Sequence, residues 1–272
     1  MSKRMKSHAL LAVKGMVIGA TMLVPGVSGG SMAMILGIYD KLVSSVSSFF
    51  KHVKESLLFL GIAAAGGIVG MILFARPLSG LIEAYPRPML YFFIGAVAGG
   101  IPLMYQKAEV KKFSFKVPLY IGIGILVMVL FALFPSDTVA NAQENAGIGI
   151  LLIAGFVAAI ALILPGISVS YLLLLLGIYD RTLNAISSLD IGYLIPLGAG
   201  LILGVIATTK VLEYAMKKYP QPTYLIILGF VVGSVAEVYP GLPNGIEWVI
   251  CIVTLLAGFG IIRYICSLGF AD

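Results

Sequence analysis

Ten apolar stretches fill this chain, and the polar gaps between them are too short to hold a soluble domain. They run over 9–24, 31–49, 57–75, 89–105, 117–134, 147–164, 170–186, 193–209, 223–239 and 246–265. A helix that crosses a bilayer needs about 20 such residues. Of the 272 residues, 60% are AVILMFWYC and 11% are charged, and the mean hydropathy is +1.07. A soluble globule of this size leaves a large area in water, and so few charges could not cover it. A water-soluble enzyme and a disordered chain are both excluded. The chain reads as an all-α polytopic membrane protein, a single membrane domain over 1–272.

The start of the chain imitates a signal peptide, with Lys3, Arg4 and Lys6 ahead of an apolar run. No small-residue cleavage site follows, and a related segment recurs in mid-chain, so the segment is expected to stay. The recurrence is visible by eye. Residues 24–41 read VPGVSGGSMAMILGIYDK, and residues 164–181 read LPGISVSYLLLLLGIYDR. Proline, glycine, serine and the whole L-G-I-Y-D string match. Further along, Tyr85-Pro86-Arg87-Pro88 answers Tyr219-Pro220-Gln221-Pro222, and Gly66, Gly70, Gly95 and Gly99 answer Gly200, Gly204, Gly229 and Gly233. Glycines four apart let helices approach closely. Two structural units follow, repeat 1 over 1–135 and repeat 2 over 147–267.

In each unit the first two stretches are short for full spans and are separated by a Pro-Gly break. They read as re-entrant hairpins over 9–49 and 147–186, entering and leaving on one face; two short full spans are the alternative. Three spans complete each half, at 57–75, 89–105 and 117–134, then at 193–209, 223–239 and 246–265. Either reading gives an odd number of crossings per half, so the halves are oppositely oriented, an inverted-topology repeat common among transporters.

The charges fit that topology. The net charge is +6. One face collects the N-terminus, Lys14, Lys41, Lys51, Lys54, Lys107, Lys111, Lys112, Lys116, Lys210, Lys217, Lys218 and Arg263. The other has only Arg76, Arg87 and Arg181, and loop 135–146 carries Asp137 and Glu144 without a basic residue. The positive-inside rule then puts both termini in the cytoplasm. Basic residues spread through the gaps in this way argue for orientation rather than for nucleic-acid binding. Cys251 and Cys266, His8 and His52 form no metal-ligand spacing, so neither a metal nor a cofactor is expected. The oligomeric state is not legible.

A Pro-Gly break inside an apolar segment frees backbone groups that lipid cannot satisfy. The break should therefore face a polar hollow. After it, Ser28, Gly29, Gly30 and Ser31 open a new half-helix, and Ser168 and Ser170 do so in the second half. Unpaired N–H groups there suit an anion, phosphate above all. Two such tips meeting from opposite faces make a pseudo-symmetric site near the midplane. The blander reading makes Ser28 and Ser168 simple N-caps.

Arg76 and Lys210 occupy equivalent repeat positions at opposite faces, where each would meet an arriving anion or else snorkel from a helix end. Lys14 has no counterpart and either reaches the cavity or snorkels. Asp40 and Asp180 end the L-G-I-Y-D strings, closing helices or pairing with cations; proton relay is the sharper option, with Glu237 as a further candidate. Tyr39 and Tyr179 fit interfacial belts.

With V-P-G-V-S-G-G-S followed by L-G-I-Y-D, and L-P-G-I-S in the second copy, the chain resembles the bacterial polyprenyl-phosphate transporter family. The resemblance spans both repeats. It implies a flippase that returns undecaprenyl phosphate from the outer to the cytoplasmic leaflet of the bacterial inner membrane. There the lipid serves again in peptidoglycan and other envelope-polymer synthesis. The partners it implies are that lipid and the surrounding membrane lipids. Two rivals stand beside it. A transporter of a small anionic solute would want an enclosed vestibule rather than a lateral groove. An undecaprenyl-pyrophosphate phosphatase would want a carboxylate, Arg and Ser or His cluster at the tips, and neither tip carries Glu or His.

Overall fold

The computed structural model describes residues 3–23, 27–112, 114–133 and 147–267. The Pro25 and Gly26 corner and loop 135–146 lie outside the described residues, as do the side chains of Ser170 and Glu237. Every described regular element is an α-helix. In chain order they are α1 (Lys3–Thr21), α2 (Gly29–Ile35), α3 (Tyr39–Ser47), α4 (Val53–Ala84), α5 (Pro86–Lys107) and α6 (Lys116–Ala132). Then follow α7 (Ile148–Ile163), α8 (Val169–Leu175), α9 (Tyr179–Ser188), α10 (Ile191–Lys218), α11 (Pro220–Val238) and α12 (Glu247–Ser267).

Four of these, α4, α5, α10 and α12, are long and apolar enough to cross a membrane. Two helices expected as spans are shorter. At 17 residues, α6 extends about 25 Å at 1.5 Å per residue; α11 has 19. By contrast α4 runs 32 residues, far past the expected end at 75, and continues through Arg76 and Pro77. Proline removes one backbone donor, but the turns on either side keep theirs. Arg76 therefore lies inside a helix, as Lys210 does in α10, and neither stands at a helix end.

The L-G-I-Y-D strings correct a second expectation. Segments 31–49 and 170–186 are not continuous helices. Each is cut at a glycine, Gly37 with φ 72° and Gly177 with φ 66°. The Gly37 N–H donates to the Met34 carbonyl at 3.1 Å and the Ile38 N–H to Ala33 at 3.0 Å. Gly177 and Ile178 repeat the pattern on Leu174 and Leu173, at 2.8 and 3.0 Å. These are Schellman stops, in which a left-handed glycine lets the chain turn back onto the last helical carbonyls. Asp40 and Asp180 accordingly do not close helices. They sit in the first turns of α3 and α9, where a carboxylate complements the positive helix end.

Tyr85 and Tyr219 make equally matched corners, with φ −136° and −131° and ψ 61° and 59°. The proline after each stands at the start of the next helix, where its missing N–H costs nothing.

Glycine rows set the pairings, as their four-residue spacing predicts. Gly66 and Gly70 of α4 rest on the backbone of Ala12 and Met16 in α1, and Gly200 and Gly204 of α10 on Leu152 and Phe156 in α7. Gly95 and Gly99 of α5 meet Leu255 and Phe259 of α12, while Gly229 and Gly233 of α11 meet Ile121 and Met128 of α6. The last helix thus packs far back in the chain, on α5, and α6 packs forward on α11. Lipid tails are as apolar as leucine, so close packing rather than water exclusion holds such pairs. The largest buried cluster gathers Met34, Tyr39, Met104, Leu212, Leu225 and Val231, where α2 and α3 meet α5, α10 and α11.

Candidate functional site

The start of α2 and the corner after α7 come together. In the first, Ser28 is extended (φ −79°, ψ 132°) and precedes α2, without a side-chain capping bond. In the second, α7 stops at Ile163 and the chain turns through Leu164, Pro165 and Gly166 before α8. Gly166 has φ +92°, and a Cβ there would stand 2.7 Å from the Phe230 backbone. Only glycine fits that corner. The corner is buried, Pro165 and Gly166 included. The tips touch: a Cβ on Gly30 would lie 3.3 Å from the Pro165 Cα.

Beside them lies a cavity of about 620 Å³ lined by Ser28, Gly29, Gly30, Ser168, Thr209 and Tyr39, with walls from α1, α3 and α4. Much of the remaining lining is aliphatic, including Ile18, Leu42, Val46, Leu60 and Ile68. Four of the expected site residues, Ser28, Gly29, Gly30 and Ser168, are thus brought together. Ser31 does not line that cavity. It is 3% exposed and faces a small hollow that Ser28 also lines, beside Ser234 and Phe93, and among the described residues its Oγ has no hydrogen-bond partner.

A second and larger cavity, about 910 Å³, adjoins the first at Ile38. Its lining is charged: Lys14, Asp40, Lys41, Glu55, Glu213 and Lys217, with His8, His52 and several serines. Lys14 is only 5% exposed. A buried ammonium must be paired or hydrogen-bonded, and Lys14 is partnered. Of its two expected positions it takes the cavity. Asp40 makes an ion pair with Lys107 at the end of α5. Across the same cavity Glu213 accepts from Lys217 at 2.5 Å and from the Ser47 hydroxyl.

The remaining candidates lie apart. Arg76 is exposed and lines none of the cavities described here. Lys210 is exposed and borders a groove of about 380 Å³ between α3 and α10. Asp180 is exposed in the first turn of α9. The side chains of Ser170 and Glu237 are outside the described residues. Among the described residues, no group of His, Cys, Asp and Glu is arranged to hold a metal ion.

Tyr39 corrects another expectation. It is not interfacial; it is 3% exposed, and its hydroxyl donates to the Ile163 carbonyl at 2.7 Å. The break at Pro165 deprives that carbonyl of its ordinary helical partner, and Tyr39 supplies one from α3. Thr209 is another residue the sequence did not flag. It is fully buried on the cavity wall, and its hydroxyl returns to the carbonyls of its own helix, at 2.7 Å to Val205. A threonine satisfied locally in this way has no motif to announce it.

Among the described residues lining the tip cavity, no hydroxyl is paired with a carboxylate or histidine. The arrangement offers a small polar spot between two broken helices, set in aliphatic walls, with a chamber of mixed charge next door. Such a place suits an amphiphile with a small anionic end.

Comparison with known proteins gives the same direction. Residues 18–250 match the sequence model of the family described as undecaprenyl phosphate translocase-like. A protein of Staphylococcus aureus named polyprenyl-phosphate transporter is 32% identical over 265 residues, covering 91% of this chain and 92% of its own. One of the same name from Vibrio cholerae serotype O1 is 30% identical over 246 residues, covering 84% of this chain and 76% of its own. No solved structure matches.

Proposed function

The chain belongs to the undecaprenyl phosphate translocase-like family, and on that premise we propose that it is a membrane transporter of polyprenyl phosphate. It moves undecaprenyl phosphate from the outer to the cytoplasmic leaflet of the bacterial inner membrane, for reuse in peptidoglycan and other envelope polymers. Its relatives are named transporters, not enzymes. The observation that carries the reading is the meeting of the two tips at one cavity.

The halves 1–135 and 147–267 act as an inverted repeat, each a re-entrant hairpin followed by three spans, with both termini in the cytoplasm. The matched Schellman stops, the matched Tyr-Pro corners and the matched glycine pairings support that reading. So does the grouping of Lys14, Lys41, Lys107 and Lys217 around one end, with Arg87 and Arg181 held elsewhere by Glu247 and Tyr193.

The phosphate rests between Ser28, Gly29, Gly30 and Ser168, with Ser31 and Ser170 behind them. The protein shields only this headgroup while the tail stays in lipid. Lys14 draws the phosphate towards the charged chamber, and Arg76 and Lys210 meet it at opposite faces. Dipoles of short half-helices contribute only about 0.3–2 kcal/mol, so a cation contact must supply most of the attraction. Rocking of one half against the other alternates access. Asp40, Asp180 and Glu237 are the candidates for coupling transport to protons.

Leaflet-specific labelling of the carrier, in cells depleted of other flippases, tests the site. Substituting Ser28, Ser168 or Arg76 at normal protein level should raise the carrier exposed at the cell surface. Unchanged exposure in all three rejects the assignment.

A further inference from the structure

A lipid whose phosphate sits at the hairpin tips must lead its tail out of the protein, and the packing restricts where. Between α1 and α4 there is no gap, because Gly15 and Gly66 press each helix onto the other's backbone. Gly155 and Gly200 close α7 against α10 in the same way. The seam between α4 and α10 is different. It is spanned by the short helix α3. There, Val46 of α3 and Leu60 of α4 line the tip cavity on one side and, on the other, the groove of about 380 Å³ that borders α10. The far wall of the groove is aliphatic, with Leu201, Ile202, Val205 and Ile206. Ile202 is 61% exposed, so the groove faces the lipid side of α10.

We infer that this groove holds the third and following isoprene units of the polyprenyl chain, which reaches it between Val46 and Leu60 while the phosphate and the first two units occupy the tip cavity. The inference rests on the transport reading above. The occupant follows from the continuity of the two spaces and their opposite characters. One end has the serines and glycines of the tips; the other is mostly hydrocarbon, with Ser47 and Ser48 beside Val46 and two lysines at its border. Lys51 and Lys210 border the groove and, being exposed, are placed to anchor its outer end among lipid headgroups.

Two measurements on the purified full-length protein decide it. In the first, a polyprenyl phosphate with a diazirine on its third isoprene unit is photolysed on wild-type protein and the labelled peptides are mapped. The label should fall on 201–206 of α10 or on the end of α3 around Val46. Label on α5 or α11, or equal labelling by a phosphatidylglycerol with the same diazirine, overturns the groove as a prenyl site. In the second, affinity for a long polyprenyl phosphate is compared with that for geranyl phosphate, which has two isoprene units. Ile202→Trp and Ile206→Trp each fill the groove beyond the passage. Both should cut the long-chain advantage by about tenfold while geranyl phosphate binds within about twofold of wild type. An unchanged advantage in variants that elute as wild type does overturns the groove and leaves the phosphate site standing. Failure of wild-type protein to bind any polyprenyl phosphate removes the transport reading itself, and the groove with it.

Discussion

The helices α3 and α9 begin with the same words, Ile-Tyr-Asp after a Schellman glycine, yet they are held in different ways. α3 reaches across the molecule. Its Tyr39 hydroxyl holds the Ile163 carbonyl, its Asp40 pairs with Lys107 of α5, and its Ser47 bonds Glu213 of α10. α9 is tied mainly to the start of the helix that follows it. Thr182 shares a 2.9 Å hydrogen bond with the Tyr193 hydroxyl, and Arg181 lies 5.2 Å over the same ring. Leu183 and Ile186 are left 46% and 55% exposed. Local sequence made both helices, and distant partners latch α3 at three points.

The comparison can be broken from the charged pair inward. Asp40→Lys sets two ammonium groups together on partly exposed side chains and should destabilise the solubilised protein by about 2 kcal/mol, with most of it regained on adding Lys107→Asp. Asp180→Lys, on an exposed side chain in the first turn of α9, should cost no more than about 1 kcal/mol. Denaturant unfolding of the four proteins reads the difference, and equal losses at Asp40 and Asp180 would abolish the asymmetry.

Tyr39→Phe orphans the Ile163 carbonyl and should cost about 1–3 kcal/mol. Hydrogen exchange should speed up in α3 and around Pro165, whereas Tyr179→Phe should leave the exchange of α9 unaltered. Ser47→Ala should cost less, about 0.5–1 kcal/mol, because Glu213 keeps Lys217. A salt-insensitive unfolding difference of that size is the expected signature. Smallest is Arg87→Gln, which breaks a 2.8 Å pair with Glu247. Both side chains are about one-third exposed, so unfolding should move by no more than about 1 kcal/mol.

Much of this fold could be read from residues alone. The apolar runs gave the helices, the second Pro-Gly repeat marked the corner at Pro165, and the glycine rows marked close packing without naming the partners. What was missed has a physical reason in each case. Periodicity cannot see a left-handed stop, so 31–49 read as one helix although Gly37, with Asp40 three residues on, carried the signal. Arg76 and Pro77 looked like a terminus because propensity weighs proline as a breaker, whereas a long helix tolerates one lost bond. The role of Tyr39 depends on a carbonyl 124 residues away, and no local pattern encodes that. The same holds for Glu213 with Ser47. Lys14 was legible as an anomaly, one ammonium inside an apolar stretch, and its direction was decided by the charged chamber that α3, α4 and α10 assemble around it.

The central claim is that the two hairpin tips hold the anionic end of a polyprenyl lipid. Equilibrium binding of undecaprenyl phosphate to the purified protein, set against its pyrophosphate form and neutral polyprenol, tests this most directly. The account predicts clear preference for the monophosphate over the alcohol, lost when Ser28 and Ser168 are both replaced by bulkier valine. Equal affinity for phosphate and alcohol, or binding that the double substitution leaves intact, would contradict it.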